Sequence, residues 1–266
     1  MPGFRTAVVP DLDVDILVRG SVTTEDIAYV HHALATAPLT AAGGDHVRVK
    51  LAAYRGSDRE TVAIAQINVE LSGRMVRSQT AAGTSADAVG QAVAALVPRV
   101  RRLHRRLTGS EAGPPSFAGE PWDLRPARVI PPVIKVGGRV RRVARYKSCP
   151  PAVQDFGAAA LTMDLRHYDF HLFVDESSGQ DTVATRAGAA GYRLAADRPE
   201  LLGAAPAGVP VAGGPSRLPG LTLPEAARAL DASPAPFLAF TGIGSGRAAV
   251  LYQRFDGHLG LLTPLW

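Results

Sequence analysis

The sequence predicts an α+β protein, an N-terminal βαβββα domain followed by two small modules that each combine a helix with an antiparallel sheet. Three observations carry this reading. Apolar residues alternate in four stretches before residue 81 and recur at helical spacing in two segments between and after them. A proline-rich segment, Gly109–Pro132, interrupts the periodicity. Beyond it, two stretches match one another at a constant offset of 67 residues.

Taken in order, Val14, Ile16 and Val18 alternate over Asp13–Arg19 as a first strand. A helix follows, with Val22 at N′, Thr23 as N-cap, Asp26 at N3, and Ile27, Val30 and Leu34 on one face; it ends before Pro38. Val47, Val49 and Leu51 form the second strand. Arg59–Leu71 is the clearest sheet signal, with Ala63, Ala65, Ile67, Val69 and Leu71 on one face and Gln66, Asn68 and Glu70 on the other. Ser72-Gly73 turns the chain into a fourth strand, Arg74–Thr80. The second helix starts at Thr84 or Ser85 and carries the stripe Val89, Val93, Leu96, Val100, Leu103 and Leu107. Pro98 is expected to kink or divide it near Ala94–Val97. Both helices on one face of the sheet would leave the opposite, polar face open.

Six prolines make Gly109–Pro132 read as a mobile connector, and Ala204–Pro219 is a second stretch of that kind. In the repeat, Phe170-His171-Leu172-Phe173 matches Phe237-Leu238-Ala239-Phe240, Val183 matches Val250, Tyr192 matches Leu259 and Leu194 matches Leu261. Each copy reads as a short helix, roughly Ala152–Leu165 or Leu223–Ala232, before a three-stranded sheet. About 50 residues is a small core, so mutual packing is expected, within the chain or across a homodimer, through Phe170, Phe173, Phe237, Phe240 and Tyr252. The expected boundaries are 1–108, connector 109–132, first module 133–197, connector 198–217 and second module 218–266.

The formal net charge is +5, and one band produces it. Residues 95–150 carry 13 basic and 3 acidic side chains, a net of +10, with arginine at 11 of the basic positions. Its dense patches are Arg99, Arg101, Arg102, His104, Arg105, Arg106 and then Lys135, Arg139, Arg141, Arg142, Arg145, Lys147. Arginine forks bind phosphate oxygens bidentately, so a polyanionic partner is indicated over mere solubility, which lysine would serve.

Catalytic signals are absent: there is no GxxxxGK[ST], HExxH or GxSxG. His167, Asp169 and His171 read as packing beside Phe170 and Phe173 rather than as metal ligands, and the lone Cys149 has no paired base. No enzyme, metal or cofactor is expected. The N-terminus meets Asp11, Asp13 and Asp15 before any apolar block, no run approaches the roughly 18 apolar residues of a membrane span, and one cysteine cannot form an internal disulfide. A cytoplasmic protein without a membrane partner is expected.

The closing run Val250-Leu251-Tyr252-Gln253-Arg254-Phe255-Asp256-Gly257-His258-Leu259-Gly260-Leu261-Leu262 resembles the signature of long-form ribosome hibernation promoting factors: apolar pair, tyrosine, arginine, Asp-Gly, then Gly-Leu-Ile. Tyr168-Asp169-Phe170-His171-Leu172-Phe173 is similar to that family's His-Asp-Phe-Phe-x-Phe strand, with Tyr168 in place of histidine. The order of the N-terminal elements agrees, and dormancy-associated members are closest in composition. The resemblance implies an N-terminal domain that binds the small ribosomal subunit and its 16S-type RNA in the channel of messenger and decoding-site transfer RNA. It also implies a C-terminal module that dimerises and pairs two ribosomes. This chain departs by carrying two such modules. The first lacks the Tyr-x-Arg and Asp-Gly elements, reading Thr185-Arg186-Ala187-Gly188-Ala189-Ala190, and the second lacks the strand's histidine and aspartate. A pseudo-dimer within one chain, holding single ribosomes, is the expectation.

The candidate phosphate contacts are Arg99, Arg101, Arg102, Arg105 and Arg106 on the second helix, with Arg48, Lys50, Arg74 and Arg77 on strands. Arg48 and Lys50 read equally as a solvated face, and Tyr54 as a stacking platform or an exposed strand end. A stand-alone RNA-binding regulator and an interaction protein with a solvated basic band remain open alternatives.

Overall fold

The computed structural model describes residues 4–9, 12–39, 46–55, 61–109, 141–206, 208–254 and 257–265. The architecture is α+β, and among these residues it comprises four α-helices and three five-stranded sheets. Two compact units are formed: 4–109 with 164–167, and 141–163 with 168–265.

The first unit builds one sheet in the order β1-β2-β3-β4-β5 from Phe4–Val9, Leu12–Gly20, His46–Arg55, Thr61–Leu71 and Arg74–Ala82. Strands β2 and β3 run parallel; the other neighbours are antiparallel. Helix α1, Thr24–Thr36, starts with Thr23 and Asp26 in a reciprocal capping box, as the sequence suggests. Before it, Gly20 adopts φ +72°, and a Cβ there would lie 2.0 Å from the Ala53 carbonyl oxygen. Only glycine lets β2 leave the sheet so close to β3.

Alternation decides which face is covered. Val47, Val49, Leu51, Ala63, Ala65, Ile67, Val69 and Val76 are buried, together with Val30 and Leu34 of α1. Helix α2, Ser85–Leu107, is capped by Thr84 and buries Val89, Leu96, Val100 and Leu103. Val93 is only half-buried and Leu107 is 43% exposed, so the apolar stripe is shorter than expected.

Two expectations are corrected here. Strand β1 precedes the six predicted elements; its six residues Phe-Arg-Thr-Ala-Val-Val alternate too briefly to announce a strand, and pairing with β2 defines it. Pro98 neither ends nor divides α2. Pro98 and Ala94, whose carbonyl loses its intrahelical donor, are both exposed, so water can satisfy that oxygen.

The second unit holds the repeat. The first copy comprises β7 (Val153–Gln154), α3 (Phe156–Arg166, of which 164–166 group with the first unit), β8 (Phe170–Asp175), β9 (Asp181–Arg186) and β10 (Tyr192–Ala196). The second comprises β12 (Gly220–Leu221), α4 (Leu223–Asp231), β13 (Phe237–Gly242), β14 (Ala248–Gln253) and β15 (Leu259–Pro264). The 67-residue offset extends to single hydrogen bonds. Val174 N–H donates to Ala152 as Thr241 N–H does to Pro219, and Arg186 N–H donates to Asp169 as Gln253 N–H does to Pro236.

Each sheet has five strands, not the three expected, because short parallel strands flank the antiparallel trio. The outer ones are exchanged. Strand β6, Val143–Cys149, precedes the first copy yet pairs with β15, the last strand of the second. Strand β11, Ser216–Arg217, precedes the second copy and pairs with β10 of the first. Residues expected in the first module and in the connector thus complete the opposite sheets.

Three apolar clusters organise the unit. Phe173 lies with Phe156, Met163 and Tyr192 under α3, and Phe240 lies with Leu230, Leu251 and Leu259 under α4. A third cluster draws Leu172 and Val183 from one sheet and Ala248 and Val250 from the other, with Phe170 and Phe237 against it.

Candidate nucleic-acid interface

On the first unit's sheet, residues that alternate away from the core form an open polar face. Arg48, Asn68 and Arg77 stand in register across β3, β4 and β5, and Lys50, Gln66 and Gln79 form the next row. The amides brace one another: Gln66 Nε2 donates to Asn68 Oδ1 at 3.1 Å, and Arg77 donates to Gln79. The face is not uniformly basic. Asp15 Oδ2 lies 3.5 Å from Arg48 Nη2, and His46 Nδ1 sits 2.9 Å from Asp13 Oδ2. Arg74 is exposed where β5 begins, and Tyr54 is half-buried near the end of β3.

The arginines of α2 occupy the other layer. Arg101 is exposed, whereas Arg99, Arg102, Arg105 and Arg106 are half-buried. Arg102 Nη1 meets Asp164 Oδ2 at 3.0 Å, with side chains only 13% and 7% exposed. Arg99 Nε donates to the Asp164 carbonyl at 2.8 Å, and its Nη1 to the Ala95 carbonyl. The donors of Arg99 and Arg102 are thus engaged with Asp164 and the Ala95 carbonyl, whereas Arg101 is exposed. Asp164 carries no local signal, because it is 62 positions from Arg102. His104, Arg105 and Arg106 fall in the last helical turn, where positive charge suits the helix dipole. Arg48, Lys50 and Arg77 thus lie on the open face of the sheet and the five arginines of α2 in the helix layer, with Arg74 at the exposed start of β5.

In the second unit, Arg141 pairs with Asp231 at 2.6 Å and also donates to the Gly257 carbonyl. Arg142 is exposed just before strand β6, which shows Arg145, Tyr146 and Lys147 to solvent, Tyr146 at 68% exposure. Lys135 and Arg139 of that patch lie outside the described residues, as does the 110–132 connector. Of the five interface candidates, Phe170, Phe237 and Tyr252 meet: Phe170 lies 4.9 Å from Phe237 and 5.9 Å from Tyr252 between ring centroids. Phe173 and Phe240 point the other way, into the helix-side cores, because strand alternation sends residues three positions apart to opposite faces. Gly260 makes room for Tyr252, since a Cβ there would come within 2.3 Å of the ring.

His171 bonds Gln154 at 2.9 Å and stacks on Phe173, while His167 Nδ1 accepts from Gln79 N–H. No group of three or more potential metal ligands occurs among the described residues. No described helix is long and apolar enough to cross a membrane. Two carboxyl groups have lowered pKa values. For Asp175, burial acts upward but is outweighed by hydrogen bonds from Ser177 and Ser178. For Glu225, hydrogen bonds from Thr222 dominate. The Arg247 guanidinium is raised, chiefly by its hydrogen bond to Asp181.

Among the described residues, the chain is an α+β protein in which one unit carries cationic side chains on its sheet and on its second helix, and the other unit holds one helix-and-sheet module twice. No family model matches the chain. It is 34% identical over 231 residues to the dormancy associated translation inhibitor of Mycobacterium tuberculosis, covering 84% of this chain and 77% of that protein, and the same match recurs in two strains. The chain belongs to the family of that inhibitor. Among solved structures, it is similar to the Thermus thermophilus protein Y N-terminal domain, with 25% identity, a TM-score of 0.28, and coverage of 33% of this chain and 93% of that one. A ribosomal subunit interface protein from Coxiella burnetii matches at 12% identity and TM-score 0.26, covering 38% and 98%.

Proposed function

We propose that this protein silences translation by binding idle ribosomes in the cytoplasm, its first unit seated on the small subunit in the path of messenger and transfer RNA. The observation that carries the reading is family membership with a dormancy associated translation inhibitor over 84% of the chain. The charge geometry supports it. Cations on two opposite faces suit a body enclosed by RNA walls better than one laid against a single surface. The mechanism is steric, a wedge held by phosphate contacts that position it without reading sequence. Arg101, Arg74 and Arg48 are the leading contacts, with Arg105, Arg106, Lys50 and Arg77 beside them.

The two modules pair within one chain, so that the protein holds single ribosomes rather than joining two. The ring contact of Phe170 with Phe237, which are equivalent positions of the repeat, supports this.

Cosedimentation of the full chain with ribosomes at two salt concentrations tests the reading. About one copy per particle is expected, with binding lost as salt rises through release of counterions. Arg48→Glu with Arg101→Glu should weaken binding at least about tenfold at fixed salt. Preference for deproteinised RNA, or no binding to either, would overturn the proposal.

A further inference from the structure

Where the two modules of the second unit meet, their central apolar residues correspond as a two-fold relation requires. At the offset of 67 residues, Phe170 corresponds to Phe237, Leu172 to Ala239 and Val183 to Val250, and all six meet in one cluster. An isologous interface requires that each contact between i and j be mirrored by one between j and i. Phe170 against its own equivalent is the contact expected on the axis.

The exception is ionic. Arg247 grips Asp181 with both ends of its fork, Nε to Oδ2 at 2.6 Å and Nη2 to Oδ1 at 2.9 Å, and the Ala248 N–H donates to the same carboxylate at 3.1 Å. The equivalent of Arg247 is Gln180, and the equivalent of Asp181 is Ala248. The mirror contact therefore joins an amide to a methyl group and holds no charge. Gln180 is turned elsewhere, exchanging hydrogen bonds with the backbone of Arg198 in its own module.

The asymmetry discriminates between partners. Were the first module to meet a first module from another chain, each Asp181, only 9% exposed at its side chain, would face Gln180 and lose its cation. Were the second to meet a second, each Arg247 would face Ala248. A shielded charge stripped of its partner is strongly destabilising, so both like-with-like pairings are disfavoured and only first-with-second satisfies both groups. We propose that Asp181 and Arg247 form a pairing code that directs each module to its companion in the same chain and away from a second copy of the protein. The inference rests on the reading that the modules pair within one chain.

The test is sedimentation velocity on the full chain from about 1 µM to about 1 mM, a range that spans the effective concentration of a short tether. The tether favours in-chain pairing equally in every variant, so differences among variants isolate the code. Wild type is expected to be monomeric throughout. Arg247→Asp sets two carboxylates against one another within the chain, while like-with-like seams carry no such repulsion, so its dimer dissociation constant should fall on the order of 100-fold. Asp181→Arg combined with Arg247→Asp restores the pair with reversed polarity and should return the monomer. Should Arg247→Asp fail to fold, Arg247→Gln gives Asp181 the same amide partner in the chain as in a first-with-first seam, removes the preference, and should strengthen dimerisation in the same direction. Folded single variants as monomeric as wild type, or a double variant that dimerises like the single one, would overturn the code. A dimeric wild type would overturn the in-chain pairing itself, which separates the two failures.

Discussion

The two copies of the repeat share a hydrogen-bond frame and fill it with different side chains. Beneath α3 the first copy sets Ala184 beside Tyr192, and beneath α4 the second sets Leu251 and Leu259 at the same positions. Phe156 and Met163 correspond to Leu223 and Leu230. One copy thus combines large with small residues where the other uses medium ones, and summed volume is kept while identity drifts. Polar devices have drifted further. Arg186 Nε donates to the Tyr168 carbonyl, and its counterpart Gln253 bonds the equivalent carbonyl of Ala235. What the fold requires of a position is a volume or a donor; the residue that supplies it is replaceable when its neighbour changes too.

The sharpest way to break this equivalence is at Tyr192, which is fully buried and reaches the Ala160 carbonyl. Tyr192→Ala should cost about 3–5 kcal/mol in urea unfolding, by the lost burial and the cavity left behind. Tyr192→Leu with Ala184→Leu, which writes the second core into the first, should cost less than about 1.5 kcal/mol. A double variant as unstable as Tyr192→Ala would show that the copies are not interchangeable frames.

A smaller effect is expected across β14 and β15, where Tyr252 faces Gly260 while the first copy pairs Thr185 with Arg193. Gly260→Ala should cost about 1–3 kcal/mol by overpacking against the ring. In a Tyr252→Thr background the same substitution should cost little, and a double-mutant cycle reads the coupling directly.

The smallest effect concerns Asp175, whose place in the second copy is taken by Gly242. The Asp175 carboxyl titrates below its ordinary value of 3.8 in the folded protein, so its contribution is present above that pH and disappears as pH falls through the folded value. Asp175→Gly should lower Tm at neutral pH, and the gap from wild type should close on acidification. A gap independent of pH would assign the effect to the glycine backbone instead.

Much of this frame was legible in the sequence because it is written locally. Thr23 and Asp26 lie three positions apart, β4 alternates over eleven residues, and the 67-residue offset needs only comparison of the chain with itself. Features decided by a distant partner were not. Strands β6 and β11 are edge strands whose sheet is chosen by what they meet, and nothing near Val143 indicates Leu259. The continuity of α2 through Pro98 depends on which side of the helix faces water. For the candidate site, the sequence located the basic band, yet Asp164 and its hold on Arg99 and Arg102 arise from tertiary packing alone. The Asp181–Arg247 pair is likewise ionic chemistry between residues 66 positions apart.

The placement of β6 bears on how the chain is made. Val143–Cys149 emerges during synthesis long before Leu259–Pro264, the strand it borders. The first copy can assemble helix α3 and its antiparallel trio as they appear, but β6 must wait with its backbone donors and acceptors unmatched until β15 has emerged. A chain that stops short of Leu259 would therefore leave β6 without its neighbour more than a hundred residues upstream, and aggregation would begin there rather than at the truncated end.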